Sequence, residues 1–217
     1  MKHPATPIDN PYLYFGNLGK NERQYGVKNF VGLALHPSHD REIRHDATAK
    51  LPFQNSSIFK IQSQDVFEHI PREFIPDIFN DIYSVLAQGG IFRLSVPDYR
   101  SPLLKKRSVY DHEGRVIADL LMGGTVVYDP KTTAASSVYG TDGNAHLWFP
   151  TYENILELVL RSNLRRCEHI EFYHYFIDDE RYVCEPFPEN EMFVMRAPPN
   201  DNRADGKPIS IVVDFIK

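Results

Sequence analysis

Short apolar runs and longer periodic stretches alternate along the first half of the chain, and each type predicts a different element. Apolar runs bounded by turn residues are typical of buried strands, whereas helices show apolar residues at three- and four-residue steps. Four such runs predict strands: YLYFG at 12–16, KNFVGLAL at 28–35, SIFKIQSQ at 57–64 and IFRLSV at 91–96. Residues 72–86 carry the helical spacing, and we expect this helix to end at Gly89 and Gly90, because glycine is a common C-cap.

The second half of the chain adds one further helix and three further strands. TYENILELVLRSN at 151–163 is amphipathic, with Thr151 as a suitable N-cap. Apolar runs at 169–177, 191–198 and 209–216 predict strands, and the polar PPNDNRADGKP between the last two predicts a loop. Strands that alternate with helices favour an α/β fold with a doubly wound, mostly parallel sheet, in which ligands bind at the carboxyl ends of the strands.

A long region, 98–150, separates IFRLSV from the second helix. It exceeds a plain connection, and ordered loops of this length are usually functional. We expect it to contain a short helix at RVIADLLMGG (115–124), capped by Gly123, and to form an insertion or lid over the ligand site. No repeat or linker divides the chain, so residues 1–217 are predicted to form a single domain.

Charge and cysteine content narrow the classes of function. The chain has 24% charged residues and a formal net charge of -5, so it has no basic field to attract nucleic-acid phosphates. No run approaches the roughly 18 apolar residues of a membrane span. Cys167 and Cys184 lack CxxC spacing, and the start of the sequence lacks the apolar segment of a signal peptide. We therefore expect a cytoplasmic protein that does not bind nucleic acid and has no membrane span.

Five motifs follow one another in an order that is typical of one enzyme family. They are HDATAKLPF (45–53), SQDVFEHIP (63–71), AQGGIFRLSVPDY (87–99), NAHLWFPTYENILELV (144–159) and KPISIVVDFIK (207–217). Their order resembles class I S-adenosylmethionine-dependent methyltransferases, in particular a compact branch found among polysaccharide and lipopolysaccharide biosynthesis genes. The resemblance covers nearly the whole chain. It implies a seven-stranded Rossmann-like sheet with an antiparallel C-terminal strand and a long insertion after the fifth strand. It also implies S-adenosylmethionine as cofactor and a small molecule or glycan precursor as substrate.

The resemblance further implies a cofactor site built from the ends of several strands. The implied residues are, in chain order, Gly16, Asn17, Gly19, Leu35, His36, Asp46, Ala47, Gln64, Asp65 and His69. The glycine-containing loop would lie against the methionine end, because glycine lets a backbone approach a ligand closely. Asp46, with Ala47 beside it, would accept a hydrogen bond from the adenine amine. Gln64 and Asp65 would lie near the amino-acid part of the cofactor or its sulfonium, and His69 would face the transferable methyl group or shape the pocket.

The end of the second strand departs from this family pattern. Methyltransferases of this class normally place an acidic residue there to bind the ribose hydroxyls, whereas this chain has Ala34 and Leu35. His36 would supply one hydrogen bond instead, and the loss of a charge-assisted pair costs on the order of 1.5 to 3 kcal/mol of binding. Together with a short first crossover, this departure motivates an alternative function, a non-catalytic binding or assembly protein on the same scaffold.

Candidate catalytic residues lie in or next to the long region. His146, His112 and Asp98 are candidates for a general base that removes a proton from an acceptor hydroxyl, because histidine titrates near neutral pH. Each histidine has an alternative role as the hydrogen-bond partner of a loop backbone. Clusters of acidic residues and histidines at 36–40 and 111–113 lack the ligand spacing of a structural zinc site, so no metal site is predicted. An edge strand and the aromatic C-terminal segments would permit a homodimer.

Overall fold

The computed structural model describes residues 10–132, 135–139 and 143–217, which contain twelve β-strands and three α-helices. The first nine residues, which form part of the segment that is not expected to be a signal peptide, lie outside the described part. The strands are β1 Tyr12–Phe15, β2 Phe30–Ala34, β3 Glu42–Arg44, β4 Ile58–Gln64, β5 Leu86–Pro97, β6 Ser108–Tyr110, β7 Val116–Asp119, β8 Thr125–Tyr128, β9 Ala135–Val138, β10 His169–Phe176, β11 Tyr182–Cys184 and β12 Ser210–Ile216. The helices are α1 Ile75–Val85, α2 Pro102–Lys105 and α3 Tyr152–Leu160. None of these helices is long and apolar enough to cross a membrane.

Eight of the strands form one sheet in the order β11-β10-β12-β5-β4-β1-β2-β3. Strands β1 to β5 are parallel to one another, and β12 runs antiparallel to both β5 and β10. The predicted α/β class, with a mostly parallel sheet and an antiparallel C-terminal strand, is confirmed. The sheet has eight strands where seven were expected, because two short strands that the sequence did not predict, β3 and β11, form its two edges, while one predicted strand, at 191–198, does not form.

One face of this sheet carries the main hydrophobic core. Side chains from β1, β4, β5 and β12 enter this core, and α1 and α3 cover it. Helix α1 contributes Ile78, Phe79 and Ile82, as its three- and four-residue spacing predicted. Thr151 caps α3 as expected, since its hydroxyl accepts a hydrogen bond from the Asn154 amide at 3.5 Å.

The opposite face is covered by an extended segment and not by α1 or α3. Residues 185–209 cross it between β11 and β12 and bury Met192 and Val194 in two smaller apolar clusters. Because α1 and α3 both lie on the first face, the expected doubly wound arrangement is wrong for this chain. The connection from β1 to β2, where a helix for the second face would be expected, contains only the 3-10 turn Arg23–Gly26 as regular structure.

Buried side chains of the sheet satisfy the backbone of this covering segment. Arg93 on β5 donates to the carbonyl oxygens of Pro188, Glu189 and Met192 at 2.7, 3.1 and 2.7 Å. The same guanidinium binds both carboxylate oxygens of Asp214 on β12 at 2.7 and 2.6 Å. These contacts hold the segment against the sheet without strand pairing. The strand predicted at EMFVMRAP therefore does not form, although all of its residues are described.

The region after β5 also differs in detail from the sequence prediction. Its described part contains α2 and two small antiparallel sheets, β6–β7 and β8–β9. The helix expected at 115–124 is wrong: Val116 and Ile117 are β-branched and belong to β7, which pairs with β6. Gly89 and Gly90 do not cap α1 but lie within β5, where the register with β4 shifts and Gly89 adopts φ +73°.

Candidate functional site

The carboxyl ends of β1 and β4 meet at one edge of the sheet. Gly16 follows β1 with a φ of +98°, a left-handed conformation that glycine adopts at little cost. A Cβ atom at this position would lie 3.2 Å from Val66 Cγ2, so the loop after β1 packs directly on the segment after β4. The Gly19 amide reaches Glu22 Oε1 at 3.4 Å. The glycine-containing loop thus lies at the edge where the fold rule predicts ligands.

A buried carboxylate, which the sequence did not single out, holds this loop in place. Glu42 on β3 accepts hydrogen bonds from the Leu18 amide at 2.7 Å and from Asn17 Nδ2 at 3.2 Å. The amide and hydroxyl of Ser38 also donate to Glu42 Oε2, at 2.5 and 3.1 Å. Burial raises the pKa of Glu42, but these hydrogen bonds outweigh it, so the net pKa is lowered and the side chain stays ionised. Glu42 therefore ties the loop after β1 to the connection between β2 and β3.

The end of β2 is open to solvent. Leu35 is 55% exposed, and His36 is exposed beside it. The His36 carbonyl accepts a hydrogen bond from Asn17 Nδ2 at 3.0 Å. The structure thus brings Asn17, Leu35 and His36 to the same edge as the glycine loop. No carboxylate follows β2 directly, as the sequence indicated.

Asp46 and Ala47 lie in the turn after β3, next to the end of β2. The amide and hydroxyl of Thr48 donate to Asp46 Oδ1 at 2.9 and 2.8 Å. These hydrogen bonds lower the pKa of Asp46, which is exposed and therefore carries a negative charge at neutral pH. Ala47 packs on the main core. The exposed carboxylate is available to a ligand at this edge.

Asp65 follows β4 and combines a left-handed backbone, with φ of 51°, with a buried carboxylate oxygen. Its Oδ2 lies 3.2 Å from Arg196 Nε on the covering segment. Its Oδ1 has no hydrogen-bond partner among the described residues. Burial raises the pKa of Asp65, and Arg196 opposes that shift. A buried acceptor beside an arginine suits a ligand that carries both a positive and a negative group.

Gln64 is held by the protein itself. Its Nε2 donates to the Tyr14 hydroxyl at 3.2 Å, and its Oε1 accepts from the Met195 amide at 2.9 Å. Burial raises the pKa of Tyr14, with a further contribution from the nearby Glu22 carboxylate. Gln64 therefore fixes the covering segment to the end of β4 and places Arg196 next to Asp65.

Three hydrogen bonds attach residues 145–148 to the 3-10 turn Phe67–His69. They join Leu147 N to Glu68 O at 2.8 Å, Trp148 Nε1 to Phe67 O at 2.9 Å and His69 Nδ1 to Ala145 O at 3.0 Å. This attachment brings the end of the long region onto the turn after β4. As a result the rings of His69 and His146 pack edge to face, with centroids 4.7 Å apart.

Glu68, His69 and His146 form a cluster whose polar atoms face one another. Glu68 Oε1 lies 3.7 Å from His146 Nε2 and 3.9 Å from His69 Nε2, and one ligand atom from each residue falls within 4.8 Å of the others. Glu68 is 0% exposed and His146 is 1% exposed. Both Glu68 oxygens and His146 Nε2 lack hydrogen-bond partners among the described residues. Among the residues that the structure describes, these three side chains lie close enough together to share one metal ion.

A buried chain of polar groups supports His146 from its other side. The Tyr99 hydroxyl lies 2.5 Å from His146 Nδ1 and donates to Asp119 Oδ2 at 2.6 Å. Arg107 Nε lies 2.8 Å from the same carboxylate oxygen and balances its charge. Tyr99 and Asp119 are 2% and 1% exposed, so this chain of contacts is shielded from water.

Burial sets the protonation of the cluster. It raises the pKa of Glu68 well above its usual value, and the nearby Asp65 adds to that shift. It lowers the pKa of His69 and lowers the pKa of His146 to about 3, with smaller effects from neighbouring cations. Both imidazoles are therefore neutral at pH 7. A histidine with so low a pKa is a weak general base, but its unprotonated nitrogen remains available as a ligand.

The other two predicted catalytic residues are not brought to this cluster. Asp98 is fully buried and accepts hydrogen bonds from the amides of Phe176 at 2.8 Å and Arg100 at 3.0 Å, which joins the end of β5 to β10. Burial raises its pKa to about 6 against the effect of these hydrogen bonds. His112 lies in the turn between β6 and β7, and its side chain is 79% exposed beside Glu113. Of the three predicted catalytic residues, only His146 lies in the cluster with Glu68 and His69.

A cavity of about 830 Å³ opens beside the cluster. Tyr99, whose hydroxyl contacts His146, forms part of its wall together with Trp148 and Phe149. Arg100 and Lys105 also line it. The lining therefore combines aromatic and charged side chains, a composition that suits a polar small molecule.

Several residues of the site escaped the sequence analysis for different reasons. Glu68 carried no usable signal, because a glutamate is rarely fully buried and the apolar neighbours in VFEHI do not distinguish one that is. Arg196 carried none, because it meets Asp65 only through the path of the covering segment. Asp119 lay inside the run that was predicted to be helical, where its contact with Tyr99 was hidden.

Comparison with known proteins gives only distant structural likenesses. No protein-family model matches the chain, and no curated protein matches it. An S-adenosylmethionine-dependent methyltransferase from Mesorhizobium loti is similar at 14% identity and a TM-score of 0.46, over 95% of this chain and 91% of that chain. A possible histamine N-methyltransferase from Thermotoga maritima is similar at 13% identity and a TM-score of 0.49, over 95% and 81%. Phosphoethanolamine N-methyltransferase 2 from Haemonchus contortus, in complex with S-adenosyl-L-methionine, is similar at 14% identity and a TM-score of 0.42, over 77% and 36%. At such identities and TM-scores, these likenesses do not assign an activity, which has to be argued from the site.

Proposed function

We propose that this chain is an S-adenosylmethionine-dependent methyltransferase that acts on a small molecule or a glycan precursor. The observation that carries the proposal is the meeting of Gly16, Asp65 and Arg196 at the carboxyl edge of the sheet. Open sheets of this kind bind ligands outside the carboxyl ends of their strands. The motif order of the sequence supports the same activity.

The edge suits the amino-acid end of S-adenosylmethionine, which carries an ammonium and a carboxylate group. Asp65 Oδ1 is a buried acceptor without a partner among the described residues, and it would accept hydrogen bonds from the ammonium group. Arg196, whose side chain is 40% exposed, would bind the carboxylate. The left-handed Gly16 lets the loop after β1 pack directly on Val66, the residue after Asp65.

The nucleoside end fits less closely. Glu42 accepts four hydrogen bonds from the protein and does not replace the ribose-binding acid that is missing after β2. We expect His36 to contribute one hydrogen bond, which would make cofactor binding weaker by about 1.5 to 3 kcal/mol than with a carboxylate. The exposed Asp46 carboxylate would accept a hydrogen bond from the adenine amine.

The cavity beside the cluster would hold the methyl acceptor. S-adenosylmethionine supplies a methyl group on a positively charged sulfur, so the chain has to align the acceptor and, for a hydroxyl, assist the loss of its proton. Trp148 and Phe149 form an apolar wall of the cavity, while Arg100 and Lys105 provide charge, which suits a sugar-like or acidic molecule. His146 contacts the hydroxyl of Tyr99, a residue of the cavity wall, and packs on His69, so these histidines would help to orient the acceptor group.

Calorimetric titration with S-adenosylmethionine and S-adenosylhomocysteine tests the proposal. Asp65→Asn removes the charge with little change in shape, and we expect it to weaken binding by roughly tenfold to a hundredfold, as expected for one charged hydrogen bond. Asp178→Asn is the matched control, since Asp178 also pairs with an arginine, Arg181 at 2.6 Å, but on an exposed turn. The control should bind like the wild type.

The opposite outcome has a specific meaning. If neither ligand gives heat or thermal stabilisation at about 1 mM, the chain does not bind this cofactor usefully. The open end of β2 would then favour the alternative, a non-catalytic binding or assembly protein on the same scaffold. If the wild type binds and both variants lose affinity equally, Asp65 has no special role in binding.

A further inference from the structure

We propose that Glu68, His69 and His146 form a binding site for one divalent transition-metal ion, with Zn²⁺ as the best-matched ion. The proposal is independent of the methyltransferase function and concerns the buried cluster between the turn after β4 and the long region. It follows from three features: which nitrogen of each imidazole is unprotonated, the distances between the ligand atoms, and a supporting set of hydrogen bonds.

The first lone pair belongs to His69. Its Nδ1 lies 3.0 Å from the carbonyl oxygen of Ala145. A carbonyl oxygen can only accept a hydrogen bond, so Nδ1 carries the proton and donates it. In the neutral ring, Nε2 is then unprotonated, and it faces Glu68 Oε1 at 3.9 Å.

The second lone pair belongs to His146, and the buried chain of polar groups determines which of its two nitrogens carries it. The Tyr99 hydroxyl donates its single proton to Asp119, because a carboxylate paired with Arg107 can only accept. Tyr99 must therefore accept from His146 Nδ1, so His146 Nε2 is unprotonated. Carboxylate and hydroxyl groups that fix the tautomer of a ligand histidine in this way are a regular part of metal sites.

The ligand atoms converge at a suitable spacing. Two atoms bound 2.0 to 2.2 Å from a tetrahedral zinc ion lie about 3.4 Å apart. Glu68 Oε1 is 3.7 Å from His146 Nε2 and 3.9 Å from His69 Nε2, and one ligand atom from each of the three residues lies within 4.8 Å of the others, so side-chain movements of about 1 Å or less would complete the site. Both Glu68 oxygens are buried without a partner among the described residues, which is costly for a carboxyl group and is relieved by a cation.

The donor set selects the kind of metal. Two imidazole nitrogens and one carboxylate oxygen suit Zn²⁺, Fe²⁺, Co²⁺ and similar ions, whereas Mg²⁺ and Ca²⁺ prefer oxygen alone. Three protein ligands leave a fourth position for water or another molecule. His69 provides access, since 20% of its side chain is exposed, and Tyr99 connects the cluster to the cavity of about 830 Å³.

Metal titration of the chelator-treated full chain tests the proposal. Zn²⁺, Co²⁺ and Mg²⁺ are titrated separately by calorimetry, and the visible absorption of bound Co²⁺ reports its coordination. We expect one Zn²⁺ or Co²⁺ per chain and binding of Mg²⁺ at least about tenfold weaker. Glu68→Gln should weaken Zn²⁺ binding at least about tenfold and change the Co²⁺ spectrum.

Two further variants separate this site from a surface effect and from a folding defect. Glu113→Gln is the matched control, because Glu113 Oε1 also lies 3.7 Å from a histidine, His112, but both side chains are exposed and no third ligand atom was found near them among the described residues. It should bind Zn²⁺ like the wild type. Tyr99→Phe leaves all three ligands in place but removes the acceptor for His146 Nδ1, so we expect roughly tenfold weaker Zn²⁺ binding.

Three outcomes would overturn the proposal. The first is the absence of a Co²⁺ spectrum and of Zn²⁺ heat in the folded wild type. The second is equal Zn²⁺ affinity in the wild type and in Glu68→Gln. The third is a loss that appears in Glu113→Gln and not in Glu68→Gln. Thermal unfolding of each variant without metal shows that it is folded, and Tyr99→Phe provides the test if Glu68→Gln is not.

Discussion

Replacing Arg93 by methionine should strongly destabilise this protein, because one buried guanidinium fastens the covering segment to the sheet. Arg93 is 0% exposed and donates to both carboxylate oxygens of Asp214 at 2.7 and 2.6 Å. It also donates to three carbonyl oxygens of residues 185–209. Methionine has a similar length and fills the space, but it supplies none of these five hydrogen bonds.

The expected loss follows from the groups that remain. Asp214 is 1% exposed and would be left without its cation, and breaking a buried ion pair from one side costs about 3 to 5 kcal/mol. Burial raises the pKa of Asp214 and Arg93 opposes this shift, so part of the penalty would be relieved by protonation at low pH. Since domains are stable by about 5 to 15 kcal/mol, the variant would lose a large share of its free energy of unfolding.

The free energy of unfolding in urea measures this effect, with Arg203→Met as the matched control. Arg203 also binds an aspartate through two nitrogens, Asp201, but its side chain is 65% exposed, so its removal should cost only about 0 to 1 kcal/mol. The double variant Arg93→Met with Asp214→Leu should recover part of the loss, because no charge is left buried. If Arg93→Met unfolds within about 1 kcal/mol of Arg203→Met, the covering segment does not depend on this anchor.

Two further predictions concern pH and the glycine loop. Burial raises the pKa of Asp98 to about 6, above the usual 3.8, so the folded chain keeps a proton that the unfolded chain loses. The stability should therefore fall as the pH rises from about 4 to about 6, by up to about 3 kcal/mol for this group, and urea unfolding of Asp98→Asn should lack that part of the slope. An unchanged slope would contradict the assignment. Gly16→Ala should lower the free energy of unfolding in urea by roughly 1 to 3 kcal/mol, because φ is +98° and the new Cβ would lie 3.2 Å from Val66. The control Gly26→Ala meets open space and should be close to neutral in the same urea assay.

The sequence predicted those strands and helices whose structure is determined by their own pattern of apolar residues. The strands β1, β2, β4, β5, β10 and β12 and the helices α1 and α3 lie where the apolar pattern placed them, because each buries its own apolar face. EMFVMRAP has the pattern of a strand but lies flat across the sheet, since Arg93 and Gln62 take up carbonyl oxygens that a strand would use for pairing. Val116 and Ile117, in the helix predicted at 115–124, form part of β7 instead. They do so because β6 pairs with this segment.

The site was harder to predict, because its partners are brought together from distant parts of the chain. His146 and Gly16 were found from local motifs, but Arg196 and Asp119 act through contacts that depend on the two irregular regions. The predicted base role of His146 depended on an ordinary histidine pKa, whereas burial lowers the pKa of this residue to about 3. No local pattern indicates how deeply a loop side chain is buried.

The turn after β4 makes the two proposals separately testable, because its two carboxylates meet partners from different irregular regions. Asp65 meets Arg196 from the segment that crosses the sheet, and Glu68 meets His146 from the long region after β5. Asp65→Asn should therefore change the affinity for S-adenosylmethionine and leave Zn²⁺ binding intact, while Glu68→Gln should do the reverse. Loss of both affinities in either variant would mean that residues 65–69 hold their shape only as a unit, so that neither carboxylate could be assigned to one ligand.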